Sequence, residues 1–403
     1  VVILGGGFGG LAAAKKLARH GEVTVIDKHN FQTFLPLLYQ VSTAGLAADH
    51  VAYPIRGAIS KFQGKFRMGS PIEIDYKNQI VKLDSSERIP YDYLVVALGS
   101  ETNDFGTPGV SEFALGMKSV MEAVNIRAEI MRRFEDLCRF EDETIFNISV
   151  IGGGPTGVEM AGAMAELVRG PLANDHAHAA HHIRINLIEA GPRLLPMFSN
   201  RLSARTKKDL EKLGVKVLVN TPVSKVEWRS IELRNGEKIP SEVTVWAAGV
   251  KASTKASDLY LPTIQGRVEV ENTLEVKNKN NIWAIGDCSG AKNNQGRFYP
   301  MVAPVAMQQG RFVAKQILRK EDNHPLKEFK YKDKGSMATI GRHKAVVQIN
   351  KIGYSGAPAW FTWLFLHLFY LSGIRNRLST MIDWTFNYLT FDRGNRHIMD
   401  EHN

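Results

Sequence analysis

The sequence predicts an α/β chain of two Rossmann-like domains, each wound on a parallel sheet, with a short apolar tail after them. Three observations predict it. A strand, glycine turn and helix signature occurs twice, at residues 1–14 and 148–163. The stretches that follow the two copies resemble each other, offset by 147 residues at the first glycines and 150 at the last. The repeat then ends, and residues 359–371 are 13 positions that are nearly all apolar.

Length and composition bound what such a chain can be. Its 403 residues suffice for two or three domains, each with its own core. A 44% hydrophobic content with mixed charge excludes a disordered chain. Cys138 and Cys288 are too few for a disulfide scaffold or a four-thiolate zinc site. No apolar run reaches the ~20 residues of a membrane-spanning helix. The net charge of +10 permits an anionic partner, but there is no basic motif of a recognised nucleic-acid-binding type. Val1-Val2-Ile3-Leu4 reads as a core strand with no charged region before it, so a few residues are expected to precede it.

The first copy runs from that strand into Gly5-Gly6-Gly7-Phe8-Gly9-Gly10 and the helix opening Leu11-Ala12-Ala13-Ala14. The second runs from Ile148-Ser149-Val150-Ile151 into Gly152-Gly153-Gly154-Pro155-Thr156-Gly157 and Met160-Ala161-Gly162-Ala163. In G-x-G-x-x-G the first glycine permits the turn and the second lets backbone approach a pyrophosphate. The third lets the helix pack on the strand. The helix N-terminus offers free N–H groups and a positive dipole end to the phosphates. An acid then closes the second strand of each copy, Asp27 in Val23-Thr24-Val25-Ile26-Asp27 and Glu189 in Ile185-Asn186-Leu187-Ile188-Glu189. Such an acid accepts hydrogen bonds from an adenosine ribose. Alternating stretches follow, paired here as residues 72–75 and 216–219, and the copies close alike at residues 89–99 and 239–249.

The copies differ between helix and second strand. Residues 169–182 are inserted in the second, with Asp175, His176, His178, His181 and His182. A metal site is conceivable there, but a polar surface loop is the simpler expectation, and no metal is expected. A third element, Asn281-Ile282-Trp283-Ala284-Ile285-Gly286-Asp287, is an apolar strand ending in Gly-Asp. Its carboxylate suits the ribityl hydroxyls of a flavin; the alternative is an ordinary strand-end aspartate.

With these residues in place the chain resembles the two-dinucleotide-binding-domain flavoproteins. Within them it is most similar to the type II, non-proton-pumping NADH:quinone oxidoreductases. The specific features are Phe34-Leu35-Pro36-Leu37-Leu38-Tyr39-Gln40-Val41, Ala284-Ile285-Gly286-Asp287-Cys288, Ala303-Pro304-Val305-Ala306-Met307-Gln308-Gln309-Gly310, and the stretch from Leu366-His367 to Arg377-Leu378. One departure is Pro304, where that family often has glutamine.

The resemblance implies non-covalent FAD in the first copy and NADH in the second. FAD would be held by Gly5, Gly7, Phe8, Gly9, Gly10, Asp27, Lys28, Gln40, Ala97, Gly99, Gly286, Asp287 and Ala303. NADH would be held by Gly152, Gly154, Thr156, Gly157, Glu189, Ala248 and Gly249. The implied domains are residues 1–114 and 262–325 for FAD, 115–261 for NADH, and 326–403 for a C-terminal membrane-association domain. Glu189 should repel a 2′-phosphate and favour NADH over NADPH; Arg193 either softens that preference or is a surface charge. Glu159 is implied to relay protons for quinone reduction, the alternative being a helix N-terminal acid stabilised by the dipole. Gln308 is either a quinone contact or a structural amide.

Disulfide reductases of this fold carry a Cys-x4-Cys pair near residues 37–41. Here those positions read Leu-Leu-Tyr-Gln-Val, so electrons entering the flavin need another exit. Cys288 reads as a small buried residue. From Lys327 onward there are 11 Lys+Arg against 6 Asp+Glu. As a helix, residues 359–371 would span ~20 Å, short of the ~30 Å hydrocarbon core. A second helix should place Ile374, Leu378, Met381 and Leu389 on one face. The pair is expected to be an amphipathic membrane-anchoring segment lying in the plane of an anionic lipid surface, with Trp360, Trp363 and Trp384 at headgroup level. The alternative is a core or dimer-interface helix pair. The expected protein is a peripheral, monotopic homodimer on the cytoplasmic face of a bacterial inner membrane. It would oxidise NADH and reduce ubiquinone or menaquinone. An NADH-dependent ferredoxin or rubredoxin reductase and a non-catalytic flavin redox sensor are the rivals.

Overall fold

A computed structural model describes residues 1–140 and 144–398, so residues 399–403 of the expected tail domain lie outside it. The chain forms two compact units. The first comprises residues 1–33, 53–101 and 250–333, and the second residues 34–52, 102–249 and 334–403.

The first unit is built on a five-stranded parallel sheet. Its order is Ile282–Ala284, Leu94–Val96, Val2–Leu4, Thr24–Asp27 and Lys65–Met68. Register places Ile3 between Val25 and Val95, with Trp283 beyond Val95. Side chains alternate across the sheet, so these four share one face and pack with Leu11, Leu17, Val313 and Ile317 of the helices Phe8–Leu17 and Ala303–Glu321. Val2, Leu4, Ile26, Leu94, Val96 and Ile282 fill the other face. Burial on both faces explains why these strands are short continuous apolar runs. An antiparallel three-stranded sheet, Pro71–Asp75, Ile80–Leu83 and Arg88–Pro90, precedes the strand Leu94–Val96.

The second unit repeats the plan with four parallel strands, in the order Val215–Leu218, Ile183–Ile188, Phe146–Ile151 and Val243–Trp246. Its antiparallel sheet is Val223–Glu227, Ser230–Leu233 and Lys238–Pro240. This corrects one sequence pairing. Residues 216–219 fall mostly in a parallel strand whose counterpart is Lys65–Met68, while Pro71–Asp75 corresponds to Val223–Glu227. Alternation alone cannot separate a parallel edge strand from an antiparallel one.

The insertion is also corrected, because it is not a loop. It continues the helix Pro155–Leu167 through a π-turn, Val168–Leu172, and two short helices, Ala173–Asp175 and Ala177–His181. Pro171, Leu172, Ala179 and Ala180 are buried beneath it. His176 Nδ1 accepts from Ala179 N at 3.1 Å, an N-cap role. Among the described residues no group of three or more His, Cys, Asp or Glu is placed to hold a metal.

The tail packs on the second unit as an antiparallel sheet, Ser336–Gly341, Lys344–Ile349 and Ile352–Ser355, followed by the helices Ala357–Tyr370 and Ile374–Thr390. Gly356 and Gly373 precede the two helices at φ +84° and +87°, a conformation open to glycine. Among the described residues no helix is long and apolar enough to cross a membrane.

The helix pair is inside out. Polar side chains of the second helix turn inward: Asn376 Nδ2 donates to the carbonyls of Asp49, His50 and Ala52 at 3.3, 3.0 and 3.1 Å, and Asn387 Nδ2 to that of Gly45 at 2.8 Å. Asp383 Oδ2 lies 3.0 Å from His50 Nδ1. Apolar side chains turn outward, among them Phe361, Phe365 and Phe369, 61%, 73% and 60% exposed, and Ile374, Leu378 and Leu389. The expected headgroup role of the tryptophans is overturned, since Trp360, Trp363 and Trp384 are only 4%, 1% and 6% exposed. Trp363 Nε1 donates to Glu159 Oε1 at 3.2 Å and Trp384 Nε1 to Gln40 Oε1 at 2.7 Å, which ties both to the protein interior. Asn376→Leu should lower stability by about 2 kcal/mol, because three carbonyls lose a shared donor. A thermal melt that leaves the midpoint in place would contradict this docking role.

Candidate active site

In the first unit the predicted flavin residues other than Gln40, which belongs to the second unit, gather at the C-terminal edge of the parallel sheet. There the strands end at Leu4, Asp27, Val96 and Ala284. The three glycines of the motif meet three different demands. Gly5 has φ +108°, and a side chain there would strike the carbonyl of Ala97. A side chain on Gly10 would strike the carbonyl of Gly5, while one on Gly7 would meet nothing within 4 Å. The first and third glycines are thus fixed by packing, and the middle one opens onto free space at the start of a helix with no side-chain cap. That space, lined by uncapped N–H groups, fits a pyrophosphate.

Asp27 Oδ2 accepts from Gly6 N at 2.6 Å and Oδ1 from His29 N at 2.9 Å, fixing the carboxylate beside the turn. Lys28 follows it, exposed. Asp287 Oδ2 accepts from Ser100 Oγ at 2.5 Å, and Gly286, at φ +73°, donates its N–H to Gln309 Oε1 at 2.7 Å. Ser100 and the buried Gln309 are supports that no sequence spacing indicated. Ala303 opens its helix, and Pro304 lies in the first turn, where its missing N–H costs nothing. Gly9 reaches that helix, since a side chain there would approach Ala306 O to 3.2 Å. These residues fit a flavin dinucleotide. Burial pushes the Cys288 thiol up to about 11, so it stays an inert core group. Gln308 spends both amide ends on Lys332, donating to its carbonyl at 2.9 Å and accepting from its N–H at 3.0 Å.

The second unit holds the same turn. Gly152 has φ +113°, with Ala247 O 2.6 Å from an added side chain, and Gly154 opens onto free space. Glu189 accepts from Gly153 N at 2.5 Å and Gly191 N at 2.6 Å, so the carboxylate is rigidly placed beside the glycines. Thr156 lies in the first turn of the helix that follows, and Ala248 and Gly249 follow the strand Val243–Trp246. Arg193 is committed to its own loop, donating to Phe198 O, Pro196 O and Asn200 Oδ1 at 2.9, 2.7 and 2.6 Å.

Glu159 is the fifth residue of the helix Pro155–Leu167 and is 8% exposed. Its Oε1 accepts from Thr339 N at 3.3 Å and Trp363 Nε1 at 3.2 Å, so its partners come from the tail and not from its own helix. Burial raises its carboxyl to about 8, and the two hydrogen bonds only partly offset that. Gln40 joins the same region, accepting from Trp384 Nε1 at 2.7 Å and donating to Tyr39 Oη at 2.9 Å. A cavity of about 270 Å³ opens among Tyr39, Gln40, Glu159, Trp360, Trp384 and Tyr388. Its wall combines these aromatic rings with the charged side chains of Glu166, Arg169, Arg342 and Arg393.

Two dinucleotide turns on successive parallel sheets, with a Gly-Asp strand returning to the first, define a flavin- and pyridine-nucleotide-dependent oxidoreductase. Accordingly, the family model for pyridine nucleotide-disulphide oxidoreductases matches residues 1–310, and that for the NDH2 C-terminal domain matches residues 334–393. The chain is 36% identical to the type II NADH:quinone oxidoreductase Ndh of Mycobacterium tuberculosis, over 100% of this chain and 90% of that protein. It is 31% identical to the enzyme of the same name from Haemophilus influenzae, over 88% of each. The fold is similar to that of NDH2 from Plasmodium falciparum in complex with NADH, with a TM-score of 0.88, 22% identity and 99% of each chain covered. The chain belongs to the type II NADH:quinone oxidoreductase family.

Proposed function

We propose that this chain oxidises NADH and delivers the electrons through FAD to a membrane quinone, with no transmembrane proton path. One observation carries the reading. The unit with the second dinucleotide turn also buries Glu159, whose carboxyl burial pushes up to about 8, beside a cavity walled by the helices that present phenylalanines outward.

When bound, the flavin supplies the redox chemistry, taking a hydride and giving up two electrons. The chain's residues bind, orient and supply protons. Gly5, Gly7 and Gly10 seat the FAD pyrophosphate, Asp27 the ribose, and Asp287, braced by Ser100, the ribityl chain. Gly152, Gly154 and Gly157 seat NADH on the helix N-terminus, with Glu189 on its ribose. Below pH ~8 Glu159 holds a proton to give to a quinone oxygen as that oxygen gains negative charge. Gln308 positions the backbone at Lys332. We assign FAD to residues 1–114 and 262–325, NADH to 115–261 and membrane association to 326–403.

The exposed apolar face seats the protein in the plane of a bilayer, with the basic excess of the tail toward anionic lipid. We place it, as a homodimer, on the cytoplasmic face of a bacterial inner membrane. Flotation on vesicles with and without anionic lipid, and sedimentation for the dimer, test these placements.

The visible spectrum tests the activity. NADH should bleach the flavin band, and a short-chain quinone should restore it within the turnover time. Return only with a ferredoxin would favour the soluble-acceptor rival, and a long-lived reduced flavin the sensor. Glu189→Gln should weaken discrimination against NADPH by roughly tenfold, as one repelling charge leaves the 2′-position. An unchanged ratio of kcat/KM for the two nucleotides would show that Glu189 does not set it.

A further inference from the structure

Glu159 presents its two oxygens unequally. Both donors, Thr339 N and Trp363 Nε1, converge on Oε1, and among the described residues Oε2 has no hydrogen-bond partner. A protonated carboxyl has one carbonyl oxygen and one hydroxyl. The oxygen that accepts two N–H bonds is the carbonyl, which leaves the proton on Oε2. Glu159 itself lines the cavity.

Trp363 is held firmly enough to make this choice. It is 1% exposed, stacked on the His367 ring at 4.1 Å between centroids and 24° between planes. His367 Nδ1 lies 2.8 Å from Trp363 O, and Trp384 and Tyr39 flank the indole at 5.8 and 6.3 Å. The indole N–H therefore points in one direction.

We propose that Trp363, from the membrane-facing helix Ala357–Tyr370, is a positioning residue that fixes the proton of Glu159 on Oε2, ready for the cavity. The inference rests on the reading of Glu159 as proton donor. Two bonds to Oε1 also stabilise the ionised form, so losing one should make the acid weaker. Tyr39, Tyr388 and His367, which face the cavity or the indole, do not titrate across the same window. Burial holds the Tyr39 and Tyr388 hydroxyls above their usual range, and it lowers His367 to about 4, leaving that ring neutral. Glu166 is paired with Arg393 at 3.2 Å, and Arg342 and Arg169 also line the cavity.

The test reads the acid directly. In oxidised holoenzyme without quinone, the infrared carbonyl stretch of the protonated carboxyl, assigned by its loss in Glu159→Gln, is titrated with pH. Trp363→Phe should move the midpoint up by about one pH unit. Because that change also trims the core, 3-benzothienylalanine at position 363 gives the same shape without the N–H, and should show the same shift. Trp228→Phe, at an exposed tryptophan, should leave the midpoint alone. A midpoint that stays put or falls in the benzothienylalanine protein overturns the proposal. A normal shift in an enzyme that cannot reduce quinone would instead overturn the functional reading and spare this one.

Discussion

Glu159→Gln is expected to cut quinone reduction by about 100-fold or more, the usual contribution of a positioned general acid, while flavin reduction by NADH continues. Glutamine keeps the shape and the hydrogen bonds to Thr339 and Trp363 but carries no transferable proton. Stopped-flow spectra of the two half-reactions separate these effects. Equal loss in both would mean that Glu159 serves structure or nucleotide binding.

The pH dependence has a defined sign. In the proposed mechanism the protonated acid is the active form, so wild-type quinone reduction should be flat below about pH 7. It should fall roughly tenfold per unit well above the folded-state value of about 8. Stability follows the same proton. The folded-state value lies above the ordinary carboxyl value of 4.5, so the folded state binds the proton more tightly. That stabilisation is complete below pH 4.5 and is lost as pH rises through about 8, amounting to several kcal/mol at most. Glu159→Gln should therefore melt higher than wild type at pH 9. A wild-type activity profile flat to pH 10 would reject the relay.

The triple change Phe361→Ser, Phe365→Ser and Phe369→Ser should release the protein from vesicles. Each ring gives about 1.5 kcal/mol when it leaves water, so three give about 4–5 kcal/mol, or roughly a thousandfold in partitioning. The three rings are spaced by four residues on the outward face of one helix and are 60–73% exposed, so the fold should survive. Removing residues 356–403 is a poorer test, because it also takes away Trp363 and Trp384, which bond Glu159 and Gln40. Flotation should fail for the triple variant while a water-soluble quinone is still reduced. A variant that floats like wild type would leave the apolar face to a protein partner.

Much of the geometry of the two glycine turns, proposed to hold the nucleotides, was legible from order along the chain. Gly5, Gly7 and Gly10 and their counterparts Gly152, Gly154 and Gly157 act within six residues, and Asp27 and Glu189 are reached by the next strand. Local geometry dictates residue type there, because only glycine tolerates φ above +100° against a carbonyl. The tail was legible as two apolar helices but not in its orientation. Trp363 lies 204 residues from Glu159, and Trp384 lies 344 from Gln40. No spacing rule reaches across such distances, and a tryptophan is equally at home in a lipid headgroup layer and over a buried oxygen.

By itself, then, the sequence determined the two dinucleotide folds, the acids that complete them, the lack of a thiol pair near residues 37–41, and an apolar tail too short to cross a bilayer. These follow from local backbone requirements and hydrophobic periodicity. The tertiary structure alone decided which side of each tail helix faces out, that the insertion at residues 169–182 is helical, and that Gln308 holds backbone. It alone showed that Glu159 is buried, which pushes its carboxyl up, and tied to the tail. Those outcomes depend on desolvation and on partners brought from far along the chain, and both exist only once the chain has folded.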